Sequence, residues 1–255
     1  MTAGAAGTGS AAPDEAWNGL RITIGFNNVP SAPGLETAWG FAAVIQGLER
    51  TLLFDTGGDG ALLMANLDRL GIEPGAIDGV FLSHAHGDHT RGLEPFLSRN
   101  PSVVVYMPAS FPSELKRIVD RAGGQVVPVS GPTRLFGGVY SSGPLGFAPE
   151  EQALVLDTPN GLVIVTGCAH PGIAHIVRAA KRQCGGSVRL VLGGFHLLRQ
   201  PEARIRATID ELKALGVEQV APSHCTGDRA IALFRKAWGV DFLDGGCGAV
   251  IDLAP

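Results

Sequence analysis

The strongest constraint in this chain is where its histidines fall. Three of the seven lie within Ser83-His84-Ala85-His86-Gly87-Asp88-His89-Thr90, directly after the apolar run Gly79-Val80-Phe81-Leu82. A strand thus delivers four potential metal ligands into one tight loop, and a turn of small residues lets alternate side chains converge on a cation. The pattern repeats further on: His170 follows Val163-Ile164-Val165-Thr166-Gly167-Cys168, His196 follows Leu190-Val191-Leu192-Gly193-Gly194, and His224 follows Val220-Ala221-Pro222-Ser223. Each sits just past an apolar run, and ligand sites of open α/β sheets gather at the carboxyl ends of strands. His175 alone departs from the rule; it lies on a predicted helix after Pro171-Gly172 and reads as a surface or packing residue.

Runs rich in Val, Ile and Leu alternate with helix-like stretches from about residue 20 onward, which is α/β texture. Strands are predicted over 21–26, 42–46, 51–55, 79–83, 103–107, 125–129, 153–157, 162–166, 187–192, 219–222 and 249–253. Helices are predicted over 60–70, 113–122, 173–183, 202–215 and 228–238, with Pro201 at a first-turn position and Gly216 after a last turn. Pro159-Asn160-Gly161 reads as a hairpin turn. Eleven strands against five helices is strand-heavy for a doubly wound fold, and two packed sheets with helices outside fit better. Residues 130–151 read as a loop-rich excursion over a pocket.

Residues 1–18 are rich in Ala, Gly and Ser, without a basic start or a continuous apolar stretch, and read as a flexible tail rather than a signal peptide. Residues 19–255 are read as a single domain. The net charge of −4 comes with no block of like charges, which argues against a nucleic-acid stripe or a basic membrane face. No segment approaches the roughly eighteen apolar residues of a membrane span. Cys168, Cys184, Cys225 and Cys247 form no C-x-x-C pair. A reduced, soluble, cytoplasmic protein acting on a small molecule is the expectation.

The H-x-H-x-D-H loop with isolated histidines at later strand ends resembles the metallo-β-lactamase superfamily, from about residue 20 to the end of the chain. Phe54-Asp55-Thr56-Gly57 matches that superfamily's upstream Asp-containing turn. More narrowly, Thr166-Gly167-Cys168-Ala169-His170-Pro171-Gly172-Ile173, Leu192-Gly193-Gly194-Phe195-His196-Leu197 and Ser223-His224-Cys225-Thr226-Gly227 resemble the 7,8-dihydropterin-6-yl-methyl-4-(β-D-ribofuranosyl)aminobenzene 5′-phosphate synthase-like subgroup. The resemblance implies an αββα sandwich, two mixed β-sheets flanked by helices, with two divalent ions at one edge: zinc, or else manganese or iron. His84, His86 and His170 would hold the first ion and Asp88, His89 and His224 the second, with Asp55 fixing the ligand loop from behind. One feature departs from the wider superfamily. Many members carry a bridging Asp on the strand end where this chain has Gly193-Gly194-Phe195-His196, with no acidic residue nearby. Either His196 binds a metal or contacts substrate, or hydroxide alone bridges the pair and the second ion is held more weakly.

The main functional expectation is a metal-dependent hydrolase, because a metal pair brings the pKa of bound water close to neutrality. Asp88 would serve as ligand and orient that water, and His196 would contact the transition state or protonate the leaving group. Without a bridging acid the centre is more positive, which favours an anionic substrate such as a phosphomonoester or phosphodiester. Predicted helix starts after Pro171-Gly172 and at Thr226-Gly227-Asp228 suit anions, and Arg91, Thr226 and Arg229 are candidate contacts. The alternative is a transferase like the synthase subgroup, joining a dihydropterin diphosphate to an arylamine ribose phosphate, with Asn27, Asn28 and Trp39 near the flat pterin. A lactonase, a β-lactamase and a non-catalytic sensor rank below these. Cys168 and Cys225 neighbour ligands, but small-residue packing explains them equally well, and neither is assigned to the metal. Oligomeric state is left open.

Overall fold

Along single strands of this protein, successive apolar side chains face two different cores. On β10 (Gly161–Thr166), Val163 and Val165 enter one cluster, while Leu162 and Ile164 enter another. Such strands read as unbroken apolar runs because both faces are covered. The computed structural model describes residues 19–255, so the tail expected over 1–18 lies outside the described residues.

Strands β1 (Leu20–Asn27), β2 (Phe41–Gln46), β3 (Leu52–Phe54), β4 (Gly79–Phe81), β5 (Val104–Pro108) and β6 (Gln125–Val129) join β13 (Val250–Leu253) in a seven-stranded sheet, ordered β13-β1-β2-β3-β4-β5-β6. The second sheet has six strands: β7 (Thr133–Phe136), β8 (Val139–Ser141), β9 (Leu154–Thr158), β10, β11 (Val188–Gly194) and β12 (Val217–Ser223), ordered β12-β11-β10-β9-β8-β7. Ile22, Ile24, Phe41, Phe54 and Phe81 of the first sheet meet Leu154, Leu156, Val163, Val165, Leu190 and Leu192 of the second in one buried layer. Helices α1 (Gly60–Arg69), α3 (Leu93–Arg99) and α4 (Ser113–Ala122) cover the outer face of the first sheet through Leu63, Leu67, Phe96, Leu97 and Val119. Helices α5 (Ile173–Cys184), α6 (Glu202–Ala214) and α7 (Asp228–Trp238) cover the second through Ile176, Val177, Ile205, Leu212 and Phe234. The result is the expected αββα sandwich of two mixed sheets.

Strand direction decides where chemistry can collect. β3 to β6 run parallel, as do β10 to β12, so the loops following β3, β4, β10, β11 and β12 leave from carboxyl ends. The two edges are tied together by Gln152, whose amide donates to the Leu82 carbonyl at 2.8 Å while its backbone N–H donates to the Ser83 carbonyl at 2.9 Å. Gly167 is the closest approach: a Cβ there would lie 2.2 Å from Ser83 Oγ, so only glycine lets the end of β10 touch the ligand loop.

Two sequence expectations are incomplete. Residues 130–151 are loop-rich as expected, but they also hold two strands that the pattern does not signal, β7 and β8, at the edge of the second sheet. Their pattern is weak because Thr133 and Arg134 face solvent and each strand has at most four residues. Helix α3 was absent from the prediction; it has seven residues, carries Pro95 in its first turn and follows the four-residue helix α2 (Gly87–Thr90).

Candidate metal centre

Four non-glycine residues have a left-handed backbone among those described, Asp55 (φ 53°), Ala169 (58°), His196 (53°) and His224 (51°), and each follows the end of a strand at this edge. Left-handed L-residues are costly, and they persist where the surrounding structure fixes them for a purpose. Asp55 follows β3, the Ser83–His89 loop follows β4, Cys168–His170 follow β10, His196 follows β11 and His224 follows β12.

The histidines gather into two groups. His84 and His86 bring Nε2 and Nδ1 to 3.2 Å, and the His170 ring lies 4.7 Å from His84 and 4.9 Å from His86 between centroids. In the second group Asp88 Oδ2 lies 3.3 Å from His224 Nε2 and 3.6 Å from His89 Nε2. His84 joins the two, with its centroid 4.2 Å from that of His89. His84, His89 and His224 are buried, His86 and His196 are exposed at the rim, and His196 packs against His170 at 4.5 Å. His175 is exposed on α5.

What orients the rings is an outer layer of oxygen acceptors. Asp55, fully buried, accepts from the Ser83 backbone N–H, from Ser83 Oγ and from His89 Nδ1, each at 2.7 Å. Ser83 Oγ donates to Asp55 and therefore accepts from His84 Nδ1 at 2.9 Å. Asn28 Oδ1 accepts from His224 Nδ1 at 2.7 Å. Glu151, also fully buried, accepts four bonds of 2.8–2.9 Å, from the backbone N–H groups of Cys168, Ala169 and His170 and from His170 Nδ1. With the proton fixed on Nδ1, all four rings turn a bare Nε2 lone pair inward, the usual arrangement behind metal-binding histidines.

That arrangement supplies the test of whether a cation fits. His224 Nε2 is buried and makes no hydrogen bond, although a carboxylate oxygen stands 3.3 Å away. Two facing acceptors in a buried site lack a positive partner, and a bound cation provides one. The donor groups Asp88, His89, Cys168 and His224, and His84, Cys168 and His170, each bring all their ligand atoms within 4.8 Å of one another. The residues therefore suit a metal.

Electrostatics follow burial. Desolvation and then the neighbouring His89 hold His84 well below its ordinary value of 6.5. Desolvation and then His224 bring His89 down to about 3. Burial raises Glu151, but the bonds from His170 and the nearby His84 outweigh it and hold the carboxyl at about 2. Burial likewise works against Asp88, yet His224 and His89 keep it below the carboxylate range. Burial pushes the Asp55 carboxyl well up, against two bonds from Ser83.

These shifts fix a sign for pH dependence in the metal-free protein. Between pH 6.5 and their folded values, His84 and His89 are protonated in the unfolded chain but not in the folded one, so their contribution is lost as pH falls. The raised Asp55 works oppositely, and His86, also lowered, adds to the histidines. With two buried imidazoles lowered against one carboxyl raised, stability in urea is expected to fall as pH drops from about 6 to 5. A flat or rising profile would show that these rings are not held neutral.

The structure separates the remaining sequence candidates. Thr226 is buried and accepts from the Phe195 N–H at 3.0 Å, which holds the turn that carries His196. Arg229 is exposed and donates to the Gln200 carbonyl. The exposed Arg91 guanidinium lies over Gly87 in the ligand loop. Asn27 is committed to Ser223 Oγ and the Gly245 carbonyl, and Asn28 to His224, which leaves Trp39 as the open ring of the early loop; it is 48% exposed with its centroid 4.7 Å from that of His224. Sequence reasoning missed Glu151. Its only local signal is an acid beside Gln152 shortly before β9, where a solvated side chain is the ordinary reading.

Residues 40–224 match the family model of the metallo-β-lactamase superfamily. The chain belongs to that superfamily. This superfamily member is 31% identical over 241 residues to the 7,8-dihydropterin-6-methyl-4-(β-D-ribofuranosyl)-aminobenzene-5′-phosphate synthase of Methanocaldococcus jannaschii, a match covering 77% of this chain and 82% of the relative. The crystal structure of Tm1679, a metal-dependent hydrolase of the β-lactamase superfamily, superposes with a TM-score of 0.78 at 26% identity, covering 92% of this chain and all of that one. A diphosphatase from the PhnP family shares the fold, with a TM-score of 0.63 at 15% identity over 93% of this chain and 99% of that one. The synthase relative overturns the main functional expectation, a phosphoester hydrolase, and backs the transferase alternative. The fold is of an enzyme type, its donor clusters suit metal ions, and no helix among the described residues is long and apolar enough to cross a membrane.

Proposed function

We propose that this metallo-β-lactamase-superfamily protein is a metal-dependent transferase that joins a dihydropterin diphosphate to an arylamine ribose phosphate. The observation that carries this reading is the 31% identity to a synthase of that product across 82% of the relative's length. In the reaction the amine nitrogen bonds to the methylene carbon on the pterin ring, the carbon–oxygen bond to diphosphate breaks, and the amine gives up a proton to solvent. His84, His86 and His170 would hold one divalent ion and Asp88, His89 and His224 a second, zinc being our first choice of metal. When bound, such ions supply positive charge that binds and polarises the diphosphate leaving group.

The chain's own residues supply the remainder. Trp39 offers an open aromatic face beside His224, suited to stacking on a flat pterin. His196 stands exposed beside His170, and contact with the Cys225 sulfur raises its pKa, so the imidazolium that hydrogen-bonds a departing anion is available nearer neutral pH. A cavity of about 200 Å³ opens beside His170 and His196; it is lined by the first turn of α5, which carries no acidic residue, and by Arg178 and Arg204, two cations that share the single carboxylate of Glu211 in the same wall. This is where we place the anionic arylamine ribose phosphate. We assign the protein to the reducing cytoplasm, in keeping with its four free cysteines, and read 19–255 as one domain.

The test is direct. Metal-loaded protein incubated with both substrates is expected to give the coupled product by mass spectrometry with one diphosphate released per product, and His196→Ala should slow turnover by about 10²-fold. Diphosphate release that yields only the hydroxymethyl pterin would refute the transferase reading.

A further inference from the structure

The two donor groups of the centre share one atom. Cys168 Sγ lies within 4.8 Å of the ligand atoms of Asp88, His89 and His224 and, separately, of those of His84 and His170. It stands 3.3 Å from His89 Nε2, on the side where that nitrogen carries its lone pair. The thiol is 4% exposed, and its position is set by the backbone: the Cys168 and Ala169 N–H groups are both bound to Glu151, and Ala169 is held left-handed. The sulfur is thus locked between the two groups by the same carboxylate that orients His170.

Charge gives this position a purpose. The donors facing inward are five imidazoles, which bind a metal without contributing charge, and a single carboxylate, Asp88. Asp55 and Glu151 are occupied from behind on Nδ1 atoms and backbone N–H groups. One negative charge is a poor match for two divalent ions in a buried site. No further acid can enter from β11: a Cβ on Gly194 would fall 2.4 Å from the Gly167 carbonyl oxygen and 2.6 Å from Cys225 Sγ. In the metal-free chain the neighbouring Cys225 sulfur and burial push the Cys168 thiol well up, so its charge would come only with a bound ion, which ionises a coordinating thiol; the sulfur would then add a second negative charge within reach of both groups, and thiolate is a strong ligand for zinc and similar ions.

We propose that Cys168 Sγ is a metal ligand shared by the two metal positions. Cys225, equally buried, joins Cys168 and His196 in a third donor group that includes none of the histidines or the aspartate of the two metal positions, so in this proposal it lines the wall of the site. The inference rests on the metal centre and not on which reaction the protein runs.

Cadmium and cobalt(II) are the probes. In wild-type protein loaded with two equivalents of cadmium, both cadmium NMR signals are expected downfield in the sulfur-ligated range, and the cobalt(II) form should show a sulfur-to-metal charge-transfer band in the near ultraviolet. Cys168→Ser should return both cadmium signals to the nitrogen–oxygen range, abolish the band and weaken metal retention at least 10-fold, while Cys225→Ser behaves as wild type. If Cys168→Ser does not fold, the wild-type and Cys225→Ser spectra decide. One displaced signal, or none, in the wild type overturns the shared ligand, as does loss of the band in Cys225→Ser. Because every readout is spectroscopic, failure here leaves the transferase assay to be judged on its own, whereas failure to take up either metal would remove the centre on which both readings depend.

Discussion

Replacing Glu151 with alanine is expected to destabilise the metal-free protein by about 3–5 kcal/mol and to lower metal affinity at least 10-fold. The carboxylate is fully buried and accepts four hydrogen bonds, three from consecutive backbone N–H groups and one from His170 Nδ1. Truncation removes every acceptor at once and leaves four donors facing a small void, where each unsatisfied group costs about 1–3 kcal/mol before the segment relaxes. For a chain of this size the midpoint of thermal unfolding should fall on the order of 10 °C. Glu151→Gln separates the two effects. The amide keeps the volume and one acceptor, so most of the fold stability returns, but its NH₂ faces donors and His170 is no longer held by a charge. We therefore expect Glu151→Gln to unfold nearer the wild-type temperature while retaining metal about 10- to 100-fold more weakly. Calorimetry with elemental analysis on both variants checks this. A Glu151→Ala protein within about 1 kcal/mol of wild type, with full metal content, would mean that the surrounding N–H groups find other partners.

Glu151 also shows where sequence reading stops. The histidines were legible because few structural roles place three imidazoles and an aspartate in six residues, and because each later histidine comes directly after an apolar run. Parallel strands then carry those positions to one edge, which the alternation of runs and helices already implied. Glu151 reaches the site from the other side, through a segment containing the short edge strands β7 and β8, and nothing in its neighbours distinguishes it from the adjacent Glu150, which is half-buried and binds Ser110 Oγ. Asn28 is hidden for a similar reason: its bond to His224 spans 196 positions. Cys168 failed differently. Its place beside a ligand was visible, but a cysteine packs as readily as it binds metal, and only the distance to both donor groups separates the two roles. The contacts that orient ligands are made between distant strand ends, so they carry no local periodicity.

Stripping the loaded protein with a chelator is expected to lower its thermal midpoint on the order of 10 °C without unfolding it at room temperature. The first half follows from linkage: a ligand present at a thousand times its dissociation constant stabilises the folded state by about 4 kcal/mol, and each kcal/mol is worth roughly 2–4 °C in a chain of this length. The second half follows from how the site is built. Ring positions do not depend on the ion, because Asp55, Ser83, Asn28 and Glu151 hold His89, His84, His224 and His170 by Nδ1. The sandwich core of Phe41, Phe54, Phe81, Val163 and Leu192 is closed independently of the edge. This differs from small metal domains whose fold is the binding energy itself. Without a cation, the bare His224 Nε2 and the Asp88 carboxylate again face each other at 3.3 Å, so the lost stability is concentrated at that end of the sheets. Hydrogen exchange should accordingly quicken in the Ser83–His89 loop, around Cys168–His170 and at His224, and leave β1 and β2 unchanged. Restoring metal should recover both the midpoint and the protection. Unfolding on chelation would show that the outer layer cannot hold the rings alone, and an unchanged midpoint would show that the inward lone pairs bind no ion tightly.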